Sequence, residues 1–307
     1  MSQPDISVVV FALNAASTIG RTLESACSQL DGRNELLVLD GGSTDGTLDI
    51  IRRHETHITY FRSGPDGGPT AAINEGVERA RGDVIALLPG DDWLEPGALA
   101  RVAAEFAADP DLEVLSCGTR YVTVGAGEHV LFAAEFVTPA MLEFTLEKIL
   151  RHPLTAARFI RRRVYQRFGG HSGECVFGDY EFLVRVCLAK VKSKVRAELA
   201  YSYRMHPRST TLSGRPEMTM AMMRNNLRLS NKYLDAPELD ACDRRALLRL
   251  NAAATMRLGG MLMVRGQFKE AGRVVAEAFR RNLFWPVAAL AWFAGSAASK
   301  LRTTSAR

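Results

Sequence analysis

The sequence predicts an α/β fold, a mostly parallel, doubly wound sheet flanked by helices, followed by a helical appendage. Three observations carry this. Four short runs of β-branched and aliphatic residues alternate with segments of helical period over residues 6–88. Each run stops at a turn marked by Asn, Asp, Gly or Pro. From Glu217 onward the composition changes to Ala, Leu, Met and Arg in helical period.

Ile6–Phe11 is β-branched, as a strand buried on both faces requires. Asn14 follows, and Ser17 is the predicted cap of a helix over Thr18–Gln29 whose apolar face holds Ile19, Leu23 and Ala26. Glu35–Leu39 is the second strand and ends at Asp40. Gly41–Gly46 is a turn, and Thr47–Arg53 is a helix for which Asp45 reads as a cap. Ile58–Phe61 is a third strand. The turn Ser63–Pro69 collects residues that need or fix an unusual φ, and the helix after it presents Ala71, Ala72, Val77 and Ala80 before Gly82 ends it. Val84–Leu88 is a fully apolar fourth strand, broken by Pro89-Gly90-Asp91-Asp92.

The 307 residues suffice for one large domain or for a domain with an appendage, predicted here as 1–216 and 217–307. The net charge of +5 is unevenly spread. Residues 217–307 hold 15 Lys and Arg against 7 Asp and Glu, which leaves residues 1–216 at −3. That distribution argues against a nucleic-acid groove on the main domain and for an anionic surface met by the tail. Cys27, Cys117, Cys175, Cys187 and Cys242 show no CxxC spacing and read as small buried hydrophobes in a reducing compartment. The N-terminus has no positive segment leading into an apolar run, so no secretory leader is predicted.

The strand ends at Asn14, Asp40, Asp66 and Asp91-Asp92 fall on one carboxyl edge, where open α/β sheets bind their ligands. Adjacent carboxylates repel unless a cation or protons intervene, and hard divalent cations sit between carboxylates and substrate phosphates. An exposed Asp-Asp turn is the plainer reading of that pair taken alone. No GxGxxG follows the first strand and no GxxxxGK[ST] occurs, which removes the dinucleotide and P-loop cradles. A cation on carboxylates is then the alternative neutraliser for a diphosphate.

These segments resemble a known family. Ile6–Asn14, LDGGSTDGT at Leu39–Thr47, Ser63–Gly76 and LPGDD at Leu88–Asp92, in this order and spacing, are similar to family 2 inverting glycosyltransferases of the GT-A fold. The resemblance implies transfer of a sugar from a nucleotide-sugar donor, of the UDP type, to a hydroxyl of a glycan acceptor, with Mg2+ or Mn2+. It implies Asp40 and Asp66 at the nucleoside and Asn14 and Asn74 at the substrate. Asp91 and Asp92 would be the DXD element that holds sugar, ribose and metal. Asp179, opening the DYEFLxR segment, sits where relatives place their catalytic base; on physical grounds alone an Asp there is a cap or a base. Glu181 is the second candidate base, and Arg185 a partner for a carboxylate. In the closing segment Tyr201–Thr211, His206 is expected on metal or phosphate, with Arg204 and Arg208 on phosphate. Two departures stand out. Pro89 replaces the element's usual first acid, and Ile73 stands where some relatives carry a basic residue. They keep a non-catalytic nucleotide-sugar-binding scaffold open beside the enzyme. A nucleotidyltransferase would need a basic phosphate loop near the first strand, and none is visible.

Further on, Leu99–Ala108 reads as a helix, Leu112–Cys117, Arg120–Val124 and Val130–Phe136 as strands, and Phe144–Leu150 as helical. In the tail, Met218–Tyr233, Ala241–Arg265 and Phe268–Arg281 are predicted helices. Leu283–Ala298 is nearly apolar but contains Pro286 and falls short of the ~20 residues a span needs. Trp285 and Trp292, between Arg280-Arg281 and Lys300 and Arg302, suit a segment lying in a membrane interface; a docked helix or a homodimer contact is the other reading. The expectation is a cytoplasmic protein, peripheral on the inner face of the cell membrane, extending a lipid-linked glycan.

Overall fold

The computed structural model describes residues 5–125, 130–151, 157–173, 178–206, 216–236 and 239–290. The chain divides into two compact units. One comprises Met1–Lys148, Leu154–Glu174 and Gly178–Ser209, the other Ile149–Pro153, Cys175–Phe177 and Thr210–Arg307.

The first half of the larger unit runs β1 (Ile6–Ala12), α1 (Ile19–Cys27), β2 (Asn34–Asp40), α2 (Thr47–Arg52), β3 (Tyr60–Ser63), α3 (Pro69–Arg79), β4 (Val84–Pro89). It continues with β5 (Trp93–Leu94), α4 (Ala98–Ala108), β6 (Val114–Val124), β7 (Val130–Phe136), α5 (Pro139–Leu142) and the start of α6 (Leu146–Arg151), whose residues from Ile149 on belong to the smaller unit. Then come β8 (Arg158–Arg161), α7 (Arg162–Phe168), α8 (Gly178–Leu188) and β9 (Ser193–Arg204). Among the described residues the strands form one sheet in the order β3-β2-β1-β4-β8-β6-β9-β5, with β7 added to β6. The four strands β1 to β4 are mutually parallel; β8 runs antiparallel to β4 and β6.

Burial explains the central position of β1. Ile6, Val8, Val9 and Val10 are all fully buried, as a strand covered on both faces must be. Ile19, Leu23 and Ala26 of α1 join the same core as Ile6, Val8 and Val10. Helix α3 contributes its backbone to the packing: a Cβ at Gly76 would come closer than 3.0 Å to the Val9 side chain, so only glycine permits this approach. Strand registers set Ala12 beside Asp40, Asp40 beside Ser63, and Phe11 beside Pro89. Four strands therefore end on one line, and the loops leaving them share one edge.

Several boundaries differ from those predicted. The two strands expected at Leu112–Cys117 and Arg120–Val124 are a single strand, β6, whose break signal at Gly118 is a register shift against β9. The predicted cap Ser17 lies one residue outside; Thr18 occupies the cap position and turns its hydroxyl to other partners. The third strand starts at Tyr60 because a 3-10 turn at Glu55–His57 precedes it.

The smaller unit contains α9 (Pro216–Leu234), α10 (Ala241–Val264) and α11 (Phe268–Arg281), with a further helical stretch over residues 285–290. Met220 and Met223 of α9 pack with Ala254, Leu258 and Leu262 of α10 and with Ala271 of α11. Asp240 caps α10, accepting from the Asp243 amide at 2.8 Å. Trp285, expected in a membrane interface, is instead buried with Ala252, Ala278 and Ala289. Trp292, Lys300 and Arg302 lie outside the described residues. No helix among the described residues is long and apolar enough to cross a membrane.

Candidate active site

The line of strand ends is rigidified before any ligand arrives. Asp40, expected at a nucleoside, is fully buried, and its carboxylate serves its own loop. Oδ2 accepts from the amides of Gly42 (3.0 Å) and Ser43 (2.9 Å) and from the Ser63 hydroxyl (2.7 Å), and Oδ1 accepts from the Ser43 hydroxyl (2.5 Å). Burial alone would push this carboxyl up, but these donors outweigh it and hold it below its ordinary range. Asn14 is likewise a loop clamp: Oδ1 accepts from the Thr44 amide at 2.9 Å and its own amide donates to Ser43 Oγ at 2.7 Å, at a φ of +50°. Asp45 accepts from the Thr47 amide and hydroxyl and from the Ala16 amide, joining the start of α2 to the loop after β1.

Asp66 lies at the same edge with its side chain 11% exposed. One oxygen accepts from the Gly68 amide at 2.8 Å; the other lies 3.4 Å from the Arg62 guanidinium and faces the space over Gly41, which Leu13 also borders. Leu13, a residue the sequence did not single out, is 60% exposed there. Arg62 is anchored from behind by Glu75 and by the carbonyls of Asp40 and Gly64.

The two carboxylates after β4 have opposite surroundings. Asp92 is 1% exposed, and both of its oxygens are engaged: the Tyr201 hydroxyl donates at 2.6 Å and the Arg204 amide at 2.8 Å. Burial and the neighbouring Asp91 charge push its carboxyl well up. The expected role of Asp92 as a metal ligand does not fit this geometry, because Asp92 ties the turn to β9. Asp91 points outward, and its Oδ2 meets His206 Nε2 at 2.9 Å, with side chains 35% and 27% exposed. A carboxylate oxygen and an imidazole nitrogen converging at a strand end form a donor set suited to a divalent cation. No group of three such residues occurs among the described residues, so two protein ligands would leave the remaining positions to phosphate oxygens and water. Helix α1 holds this turn through a polar stripe. The hydroxyls of Thr18 and Thr22 donate to the carbonyls of Gly90 and Asp92, both at 2.7 Å. Ser25 accepts from the Leu94 amide, and Gln29 bridges Glu95 and Leu99.

Asp179 lies in the first turn of α8, where its Oδ1 accepts from the Tyr180 amide at 2.9 Å. Gly178, just before it, lies against Thr70 in the first turn of α3, beside the Asp66 loop. Asn74, one turn further along α3, was expected at the substrate. Instead it grips the chain ahead of α8: Nδ2 donates to the His171 carbonyl at 2.9 Å, and Oδ1 accepts from the His171 amide at 2.7 Å. A Cβ at Gly170 would fall closer than 3.0 Å to the Asn74 amide, which accounts for the glycine there. Glu181, the second candidate base, is 1% exposed and bonded to Arg185 at 3.0 Å, so its burial removes it from the edge. The His171 ring is buried in a nearly parallel stack with Phe182 and Tyr165, at 4.8 and 5.9 Å. Among the described residues neither ring nitrogen has a hydrogen-bond partner, and burial, helped by the Arg185 charge, pushes it down to about 4. Arg208 lies outside the described residues. For Arg204 the decisive contact is its backbone amide on Asp92.

The family model described as "Glycosyl transferase family 2" matches residues 7–169, more than half of the chain and, apart from Ile6, all of β1 to β4. The chain belongs to glycosyl transferase family 2. Among its relatives is the succinoglycan biosynthesis protein ExoO of Rhizobium meliloti, 31% identical over 148 residues, 46% of this chain and 42% of that protein. The chain spans less than half of the length of several curated relatives that it matches. A solved structure of S. aureus TarS 1–349 in complex with UDP-GlcNAc superposes with a TM-score of 0.67 at 18% identity, covering 97% of this chain and 92% of that one. The mannosyltransferase PcManGT of Pyrobaculum calidifontis, in complex with GDP-Man and Mn2+, gives 0.60 at 17% identity, over 98% and 88%. These likenesses establish the GT-A-like α/β fold.

Proposed function

We propose that residues 1–216 form the catalytic domain of an inverting glycosyltransferase. It moves a sugar from a nucleoside diphosphate donor, of the UDP type, to a hydroxyl of a growing polysaccharide. The single observation that carries this reading is the Asp91–His206 pair, 2.9 Å apart at the carboxyl end of β4. Family membership and neighbours solved with UDP-GlcNAc and with GDP-Man and Mn2+ support it. Leu13, Gly41 and Asp66 border the nucleoside, with Asp66 accepting from the base or ribose. Asp91 and His206 would hold Mg2+ or Mn2+, which when bound would neutralise charge on the departing diphosphate. Asp179 takes the proton of the acceptor hydroxyl as that oxygen bonds to the anomeric carbon, while the bond from that carbon to the diphosphate oxygen breaks on the opposite face. In this reading the acceptor is lipid-linked, and the protein works at the cytoplasmic face of the cell membrane.

Calorimetric titration of the full chain with a panel of sugar nucleotides, with and without Mn2+, tests the reading. Micromolar binding of one donor that requires Mn2+ and is lost in Asp91→Ala is expected. Binding that is indifferent to Mn2+ and to Asp91 would overturn it.

A further inference from the structure

Among its described residues the smaller unit carries an apolar surface outside its packed core. In residues 283–290 the inward positions are Trp285 and Ala289, four apart, which pack on Ala252 and Ala278. A surface helix normally turns polar residues outward from such a stripe. Here the outward positions are Leu283, Phe284, Val287 and Leu290, which are 69%, 71%, 65% and 64% exposed. Phe279, 44% exposed at the end of α11, adjoins them in the chain. Of the eleven large exposed apolar side chains among the described residues, eight fall within residues 263–290. The apolar surface is therefore segregated, which marks an interaction site and not the ordinary scatter of surface leucines.

Charge indicates the partner. Residues 265–290 hold five Lys or Arg against two Glu. Lys269, Arg273 and Arg280 are exposed beside the apolar positions. Pairing two copies of this face would set like charges together, whereas an anionic partner complements them. The apolar stretch Leu283–Ala298 contains Pro286 and falls short of the ~20 residues that a span needs, so it suits a bilayer interface.

We propose that this face of the smaller unit docks on an anionic lipid bilayer. Leu283, Phe284, Val287 and Leu290 enter the headgroup–acyl boundary, and Lys269, Arg273 and Arg280 meet lipid phosphates. The proposal deepens the reading of a membrane-bound acceptor by naming the surface that brings the enzyme to it.

Flotation of the full chain with vesicles tests it, using phosphatidylcholine alone and phosphatidylcholine mixed with phosphatidylglycerol. Wild type floats with the mixed vesicles at low salt and less at high salt, because exposed charge attraction is screened. Phe284→Asp/Val287→Asp lowers vesicle affinity at least about tenfold, and Arg280→Ala about fivefold. Both variants keep the wild-type thermal midpoint and Mn2+-dependent donor binding, since none of these side chains belongs to the active site. Wild type that stays unbound in both vesicle types overturns the proposal, as does a double variant that floats like wild type. Wild type that sediments as a dimer without floating, and becomes monomeric in the double variant, makes the face a contact between copies instead. Donor binding in the same samples separates the two ideas: flotation without donor binding sinks the transferase reading alone, and donor binding without flotation sinks the docking surface alone.

Discussion

Asp91 and Asp92 are neighbours in sequence, yet their replacement should have opposite consequences. Asp92→Ala removes the acceptor of two donors, the buried Tyr201 hydroxyl and the Arg204 amide. A buried donor left unsatisfied costs about 1–3 kcal/mol, so the two together cost roughly 2–6 kcal/mol. Relief of the desolvated charge beside Asp91 offsets part of that, leaving a net loss near ~3 kcal/mol. In a unit of this size each kcal/mol lowers the thermal midpoint by about 2–4 °C, so Asp92→Ala should melt roughly 6–12 °C below wild type. Asp91→Ala removes a part-exposed carboxylate and should stay within about 0.5 kcal/mol of wild type. It should lose Mn2+-dependent donor binding completely. Differential scanning fluorimetry and calorimetric titration on the two variants read both effects. An Asp92→Ala protein that melts like wild type but cannot bind donor in Mn2+, beside an Asp91→Ala protein that binds normally, would refute the assignment.

His171 should make stability fall on mild acidification. Its folded pKa is about 4 against an ordinary 6.5, so the unfolded chain binds more protons between these values and stability rises with pH across that window. Integrated over the window, about 2 kcal/mol should be lost between pH 7 and pH 5, and His171→Phe, which keeps the stack on Phe182, should abolish that part of the slope. Urea unfolding at the two pH values measures it, and an unchanged slope in the variant would assign the protons elsewhere. Gly170→Ala should cost about 2 kcal/mol by displacing the Asn74 amide from His171, whereas adding Asn74→Ala should cost little more. Fully additive losses in that double-variant cycle would show that the two residues are not in register.

The parallel half of the fold was legible because β1, β2 and β4 are buried on both faces and so read as unbroken apolar runs. The edge that gathers Asp40, Asp66 and Asp91 followed from the same strands. Which acids face outward did not follow, since Asp40 and Asp92 lie in motifs indistinguishable from those of exposed acids until their hydrogen-bond donors are located. For Asp92 the donors are remote, Tyr201 being 109 residues away, and the partner of Asn74, His171, is 97 away. For Asp40 most are local, the Gly42 and Ser43 amides and the Ser43 hydroxyl, but whether they close on the carboxylate depends on how the loop folds. The polar stripe of α1 was visible as Thr18, Thr22, Ser25 and Gln29 at helical spacing, but such a stripe reads as a solvated face. Only the turn at Gly90–Asp92, packed against it, reveals that it is a scaffold. The outward apolar face of residues 283–290 lay within the predicted interfacial segment. Its inner and outer sides were exchanged for Trp285, because alanines on α10 and α11 leave room for the indole.

The most direct test of the central claim is the anomeric configuration of the sugar released from the donor. Proton NMR, recorded faster than mutarotation on the full chain with Mn2+ and the donor that binds, should first show the anomer opposite to that of the nucleotide sugar. That signal should fall about 10²–10⁴-fold in Asp179→Asn, which retains a capping side chain at the start of α8. A first product with the donor's own configuration, or release at the wild-type rate by Asp179→Asn, would contradict both the inversion and the base assigned here.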